Sequence, residues 1–212
     1  NEAIVGVSLR NDNVDMTQGV AITSKVALDD NTHLEPCRYS KGADALSGLS
    51  TLLTDGGGNV PRAFKWVATC VRNPIDFKRS LWPFGWAQKS MILLVMQTIP
   101  GHMKVRMRRP WWWPFSRMLT SDAQGSKVPR YIPAANNAAK RIAEKLDGVP
   151  VSSVTEVLLD VPTTAHILGG CAMGATAEDG VIDTQNRVHG HPGLYVIDGS
   201  MIGGNLGVNP SL

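Results

Sequence analysis

Three side chains near the end of the sequence have types and surroundings suited to chemistry on a hydroxyl group. His166 sits in PTTAHILGGC among small and apolar residues. Burial there would disfavour the imidazolium and keep the ring neutral, as a general base or hydrogen-bond partner requires. Gly169 and Gly170, just behind it, would let backbone approach a flat ligand closely. Asp198 closes GLYVIDGS, an apolar run that reads as a buried parallel strand ending in a sharp turn. Ligands in open α/β sheets bind beyond such strand ends, where the Asp198 carboxylate would accept from a ligand hydroxyl and the Gly199 amide would donate. Asn209 suits a helix N-cap and Pro210 its first turn, so a helix N-terminus there would favour negative charge on a ligand.

Each residue also has a plainer reading. A lone buried histidine is more often a satisfied core residue, and an aspartate before glycine often only caps its own turn. His166, Cys171, His189 and His191 are all plausible zinc ligands, but their spacing fits no common zinc pattern, so no metal is expected. The stretch RRPWWWPFSRM is the least ordinary in the chain. Trp111, Trp112 and Trp113 between prolines and arginines would suit transient contact with a membrane surface, or, in a reading without catalysis, a lipid-surface binding module. The competing reading folds these rings back onto the core.

The elements that must position these residues are spread along the chain. Val, Ile and Thr with partial alternation over residues 3–39 predict strands of an antiparallel or mixed sheet. If THLEPCRY is extended, His33 and Glu35 share one face and Pro36 marks an edge or bulge. Leu46, Leu49 and Leu53 predict a helix over 43–54, closed by Gly56 to Gly58. Pro61 opens a second helix whose stripe is Phe64, Val67, Ala68 and Val71, and Asn73-Pro74 breaks it before a short helix to about Leu81. MILLVMQT and KVRMRR read as the two strands of one hairpin, the second showing Lys104, Arg106 and Arg108 on one face. A helix over 133–146 would turn Ala135, Ala138, Ile142 and Leu146 inward.

The 43% apolar content suits a globular protein, and a net charge of +3 from dispersed basic residues gives no reason to expect a nucleic-acid partner. Three scattered cysteines build no disulfide framework and favour a reducing, cytoplasmic compartment. NEAIVGVSL shows neither Met nor a signal peptide, so the start looks internal and secretion stays open. No apolar run approaches the roughly 18 residues of a membrane span.

HILGGCAMG, GVID, RVHG, GLYVIDGS and GNLGVNPSL follow one another in order from His166 to the last residue. Together they resemble the C-terminal signature of the glucose-methanol-choline (GMC) flavin oxidoreductases. LGGC, THLEPCRY, LLTDGGG and ILLVMQT have the look of the cholesterol oxidase branch. The resemblance implies an α/β protein with an α+β substrate domain, the C-terminal part of a GMC-type FAD-binding fold. Residues 1–160 would be the substrate-binding cap, with a mixed or antiparallel sheet and helices. Residues 161–212 would return into an incomplete FAD domain, with one returning strand.

The cofactor implied is FAD, and the substrate the 3-hydroxyl of a sterol or another hydrophobic alcohol; the alternative is a dehydrogenase of a non-sterol alcohol. His166 matches the family histidine that assists deprotonation of the hydroxyl as hydride passes from the carbinol carbon to flavin N5. Asn209 matches the second active-site residue, and Asp198, Gly199, Asn209, Pro210 and Ser211 match flavin-contacting positions. A carboxylate of the substrate domain serves sterol oxidases as a further base, for which Glu35 and Asp44 are the candidates. The electron acceptor would be oxygen or another oxidant. The family's phosphate-cradling G-x-G-x-x-G occurs nowhere in the sequence, so the chain reads as a fragment that is inactive alone.

Overall fold

The computed structural model describes every residue except 1, 12, 100, 110–114, 125–128, 163, 165, 208 and 210–212, and describes 121–124 by backbone alone. The chain divides into two compact units, Asn1–Thr163 and Thr164–Leu212. The strands are β1 (Glu2–Leu9), β2 (Val26–Asp29), β3 (Thr32–Cys37), β4 (Ser50–Leu52), β5 (Ser90–Gln97), β6 (His102–Arg108), β7 (Met118–Gln124) and β8 (Gly148–Ser153). The α-helices are α1 (Arg62–Arg72), α2 (Pro74–Leu81), α3 (Trp86–Lys89), α4 (Pro133–Lys145) and α5 (Val154–Leu158).

In the first unit six strands form a sheet of order β2-β3-β5-β1-β8-β4, antiparallel at every junction. Alternation along β1 sends Ala3, Val5, Val7 and Leu9 to one face, where they join Leu34, Leu93 and Val95. Helix α4 covers this face with Ala135, Ala139 and Ala143, one residue per turn and small enough for close approach. On the other face Ile92, Leu94 and Met96 meet Trp86 and Ala87 of α3, while Val149 and Val151 meet Cys70 of α1 and Phe77 of α2. Gly6 pairs with Ile92 and Val151, and a Cβ there would stand 3.2 Å from each and 2.8 Å from the Met91 carbonyl oxygen. Glycine thus lets the flanking side chains close over β1. The protein has the mixed α/β content and antiparallel sheets expected of it.

Several local expectations are corrected. Residues 43–54 are not one helix: a 3-10 helix over Ala43–Leu49 gives way to β4, whose three residues are all buried. MILLVMQT does not pair with KVRMRR. It is β5, placed between β1 and β3, because an apolar run buried on both faces belongs in a sheet centre. KVRMR of that run lies in β6 and pairs with β7 in a separate two-stranded sheet. The stripe on α1 is not buried: Phe64 is 69% and Val71 74% exposed, and the helix instead packs through Cys70 and Trp66. On α4, Ala135 is buried and Ala138 and Ile142 pack partly buried against the core as expected, but Leu146 lies beyond the helix and the fully buried row continues through Ala139 and Ala143. Pro36 pairs with Leu93 of β5, and on its other side β2 has already ended at the Val26–Leu34 pair, so its missing N–H breaks no ladder there.

The second unit has no named strand among the described residues. A 3-10 turn over Gly199–Met201 and isolated bridges hold it, with Ile182 fully buried at the centre. GLYVIDGS is not a buried strand within this chain. Its one bridge joins Tyr195 to Arg187, and Leu194, Tyr195 and Ile197 are all more than half exposed. A strand is stabilised by its neighbours, and the described residues supply a single bridging one. No helix among the described residues is long and apolar enough to cross a membrane.

Candidate active site

His166 is half-buried in a loop whose backbone is clamped by its neighbour. Its N–H donates to Thr164 Oγ1 at 3.1 Å, and that hydroxyl donates back to the His166 carbonyl at 3.3 Å. The chain then turns through Gly169 and Gly170, both at positive φ, of 79° and 111°. Two backbone hydrogen bonds fasten this turn to a segment thirty residues on: Gly169 N–H donates to the Gly199 carbonyl at 3.1 Å, and Cys171 N–H to the Ser200 carbonyl at 2.9 Å. A Cβ on Gly199 would lie 3.0 Å from the Ile167 carbonyl oxygen and 3.3 Å from Leu168 Cδ2, so the contact is close enough to favour glycine.

Asp198 stands at the N-cap of the turn it begins. Its Oδ1 accepts from Ser200 N at 2.8 Å and from Ser200 Oγ at 2.5 Å. The Ser200 hydroxyl, followed by the Ser200 amide, holds the exposed carboxyl below the usual carboxylate range. The carboxylate therefore both caps its loop and stays ionised, with Oδ2 unpartnered among the described residues. Farther on, Asn205 Oδ1 accepts from Gly207 N at 2.9 Å, shaping the approach to Asn209, which is half-buried. Pro210 and Ser211 lie outside the described residues, as do Trp111, Trp112 and Trp113.

Sequence reasoning singled out His166 and Asp198 but missed the residues that hold them, Thr164 and Ser200. The signal was present: a hydroxyl or carboxylate two residues from its backbone partner is the spacing of Asx and ST turns. It also missed Asp183 and Arg187 within GVID and RVHG. Asp183 Oδ1 accepts from Gln185 N at 2.9 Å and Arg187 N at 3.0 Å, and Oδ2 from Arg187 Nε at 2.7 Å. These motifs brace the unit. His189 Nε2 lies 3.1 Å from the Gly174 carbonyl oxygen, and among the described residues no three His, Cys, Asp or Glu side chains gather to hold a metal.

The candidate carboxylates belong to the first unit. Glu35 lies on β3 in register with Leu94, its Oε1 3.6 Å from His33 Nε2, with the two side chains only 9% and 8% exposed. They share a sheet face, and burial pushes the His33 imidazole below its ordinary range, towards the neutral form. His33 Nε2 has no hydrogen-bond partner among the described residues. Asp44 has a structural occupation instead: its carboxylate accepts from Gly85 N at 3.2 Å and Ala87 N at 2.9 Å, capping the start of α3.

Comparison with known proteins agrees with the family resemblance. The family model described as GMC oxidoreductase matches residues 114–212. A cholesterol oxidase of Acinetobacter baumannii is 44% identical over 211 residues, covering all of this chain and 38% of that protein. A cholesterol oxidase of Mycobacterium tuberculosis (strain ATCC 25618 / H37Rv) is 40% identical over 223 residues, again all of this chain and 37% of the relative. A long-chain-alcohol oxidase of Arabidopsis thaliana is 43% identical over 49 residues, 23% of this chain and 7% of that protein. The chain thus spans under two fifths of the length of the cholesterol oxidases it matches. The ordered motifs and the interlocked histidine and aspartate loops all lie within residues 114–212, the part of the chain that matches the GMC oxidoreductase family model.

Proposed function

We propose that the protein to which this chain belongs oxidises the hydroxyl of a sterol or similarly hydrophobic alcohol with FAD as cofactor. The observation that carries the reading is the backbone lock between the His166 loop and the Asp198–Ser200 turn. It holds a candidate proton acceptor and a candidate cofactor anchor in one rigid piece, as positioning for catalysis requires. The residues fit a flavin in kind. Asp198 is exposed and kept ionised, with Oδ2 available to a ribityl hydroxyl, and Gly199 brings backbone close. Gly199, Asn209, Pro210 and Ser211 would complete the contacts, with residues 161–212 returning into the FAD domain. When bound, the flavin supplies the hydride acceptor.

In this reading His166 accepts the hydroxyl proton, or a hydrogen bond from it, and its clamp by Thr164 fixes the ring's starting point. Asn209 orients the substrate oxygen. Glu35 is the candidate second base, while Asp44 is engaged at α3. Oxygen is the proposed electron acceptor. Because the sequence contains no G-x-G-x-x-G, we infer that the isolated chain holds FAD poorly and turns over little. Similarity to a plant long-chain-alcohol oxidase supports a second reading, a non-sterol aliphatic alcohol as substrate. Full-length protein assayed under air with cholesterol and with a long-chain primary alcohol separates the two: hydrogen peroxide should form with cholesterol. Formation with neither would refute alcohol oxidation.

A further inference from the structure

Alternation along β3 puts His33, Glu35 and Cys37 on one face of the six-stranded sheet. Their cross-strand partners on β5 are Met96, Leu94 and Ile92, and Trp86 and Ala87 of α3 pack onto the same apolar cluster. The His33 and Glu35 side chains are both more than nine-tenths buried there. Burial of that kind is tolerated when each polar atom is paired. His33 Nε2 has no hydrogen-bond partner among the described residues, and Glu35 Oε1 stands 3.6 Å from it, just beyond hydrogen-bond reach. The backbone leaves room for that gap to close. On the β2 side of β3 the ladder is broken between the Val26–Leu34 pair and the isolated Ile22–Cys37 bridge. Glu35 and Pro36 lie in the break, with β5 as their strand partner.

We propose that His33 is a positioning residue for Glu35: with its proton on Nε2, the imidazole donates to Oε1 and aims the carboxylate. The inference rests on the reading of Glu35 as second base and adds the group that holds this base. Catalytic hydrogen bonds are often long in the free protein and tighten once substrate is bound. Burial, followed by the Lys25 charge, moves the His33 imidazole towards its neutral form, while the Glu35 charge opposes them. The other titratable groups on the elements packed over this face are Glu2, Cys37, Tyr39, Asp44 and Lys89. Asp44 is engaged at α3. Burial pushes the Cys37 thiol and the Tyr39 hydroxyl above their ordinary ranges, so neither competes as an anion. A neutral imidazole has one N–H, and its Nε2 tautomer satisfies the orphaned nitrogen and the carboxylate together.

The test uses full-length protein and reads the hold separately from the chemistry. With histidines isotopically labelled, the His33 imidazole signal is assigned by its loss in H33Q and titrated by NMR. E35Q should move its titration midpoint to lower pH, because the carboxylate favours the imidazolium. In sterol oxidation under air, H33L should keep its KM and flavin content while kcat falls at least ~10-fold, part of what a positioned base contributes. H33Q, whose amide N–H reaches towards the same oxygen, should recover most of that loss. In an E35Q background H33L should add nothing beyond about twofold. An unmoved midpoint in E35Q would overturn the proposal, and this arm does not depend on H33L folding. So would an H33L loss that persists undiminished beside E35Q, or one confined to KM. Native-like turnover in E35Q would refute Glu35 as the base, and a native protein that oxidises no alcohol would refute the oxidation reading. In either case a moved midpoint would still support the hold.

Discussion

Glu156 on α5 is 3% exposed, and its Oε1 accepts the Ile4 N–H of β1 at 3.0 Å. Burial raises its pKa from 4.5 to about 7, against the opposing effects of the Ile4 bond and the Arg62 charge. Arg62 does not pair with the carboxylate directly; its Nη1 donates to the Glu156 backbone carbonyl at 3.2 Å and its Nε to the Thr54 carbonyl at 2.8 Å. The folded value lies above the unfolded one, so between them the folded protein binds more protons. The resulting stabilisation is complete below the unfolded value of 4.5 and is lost as pH rises through about 7. A rise of that size corresponds to about 3 kcal/mol. Glu156→Gln keeps an acceptor for Ile4 and removes the titration. In denaturant unfolding, the variant's stability relative to native should improve by about 3 kcal/mol from acid to mildly alkaline solution. His33 titrates alike in both proteins, so its acid-side destabilisation cancels in the difference. A native-to-variant difference that stays flat with pH would refute the argument.

Three further outcomes follow from the geometry. Trp66→Phe removes the 2.8 Å bond from Nε1 to Thr51 Oγ1 while keeping the ring against Phe77, and should cost about 1 kcal/mol in unfolding measurements. Gly199→Val forces a branched side chain against the Ile167 carbonyl and Leu168; full-length protein should retain less flavin, read from absorbance, and lose about 1–3 kcal/mol of stability. Ser200→Ala removes the main cause of the depressed Asp198 pKa. The stabilisation of the ionised form is present above the ordinary carboxylate range and is lost as pH falls through the folded value, so flavin release on acidification should begin at higher pH in the variant.

What could be read in the sequence was local. Alternation along EAIVGVSL, the Pro-start of α4 and the shared face of His33 and Glu35 depend on neighbours a few residues away, and these features appear in the fold. The pairing of β5 between β1 and β3 joins segments far apart in sequence, and nothing in MILLVMQT names its partners. The α1 stripe shows the limit of periodicity: Phe64 and Val71 have the spacing of a buried face, yet Trp66 and Cys70 make the packing. At the candidate site the linked motifs marked His166 and Asp198. Their attachment through Gly169, Cys171, Gly199 and Ser200 is made by backbone atoms, and side-chain identity does not spell out such bonds.

The most direct test of the central claim compares full-length native protein with His166→Ala, measuring bound flavin by absorbance and sterol turnover by peroxide formation. The account predicts equal flavin content with turnover lowered by at least ~100-fold, the contribution typical of a positioned acid–base group. Near-native turnover with the flavin still bound would contradict it.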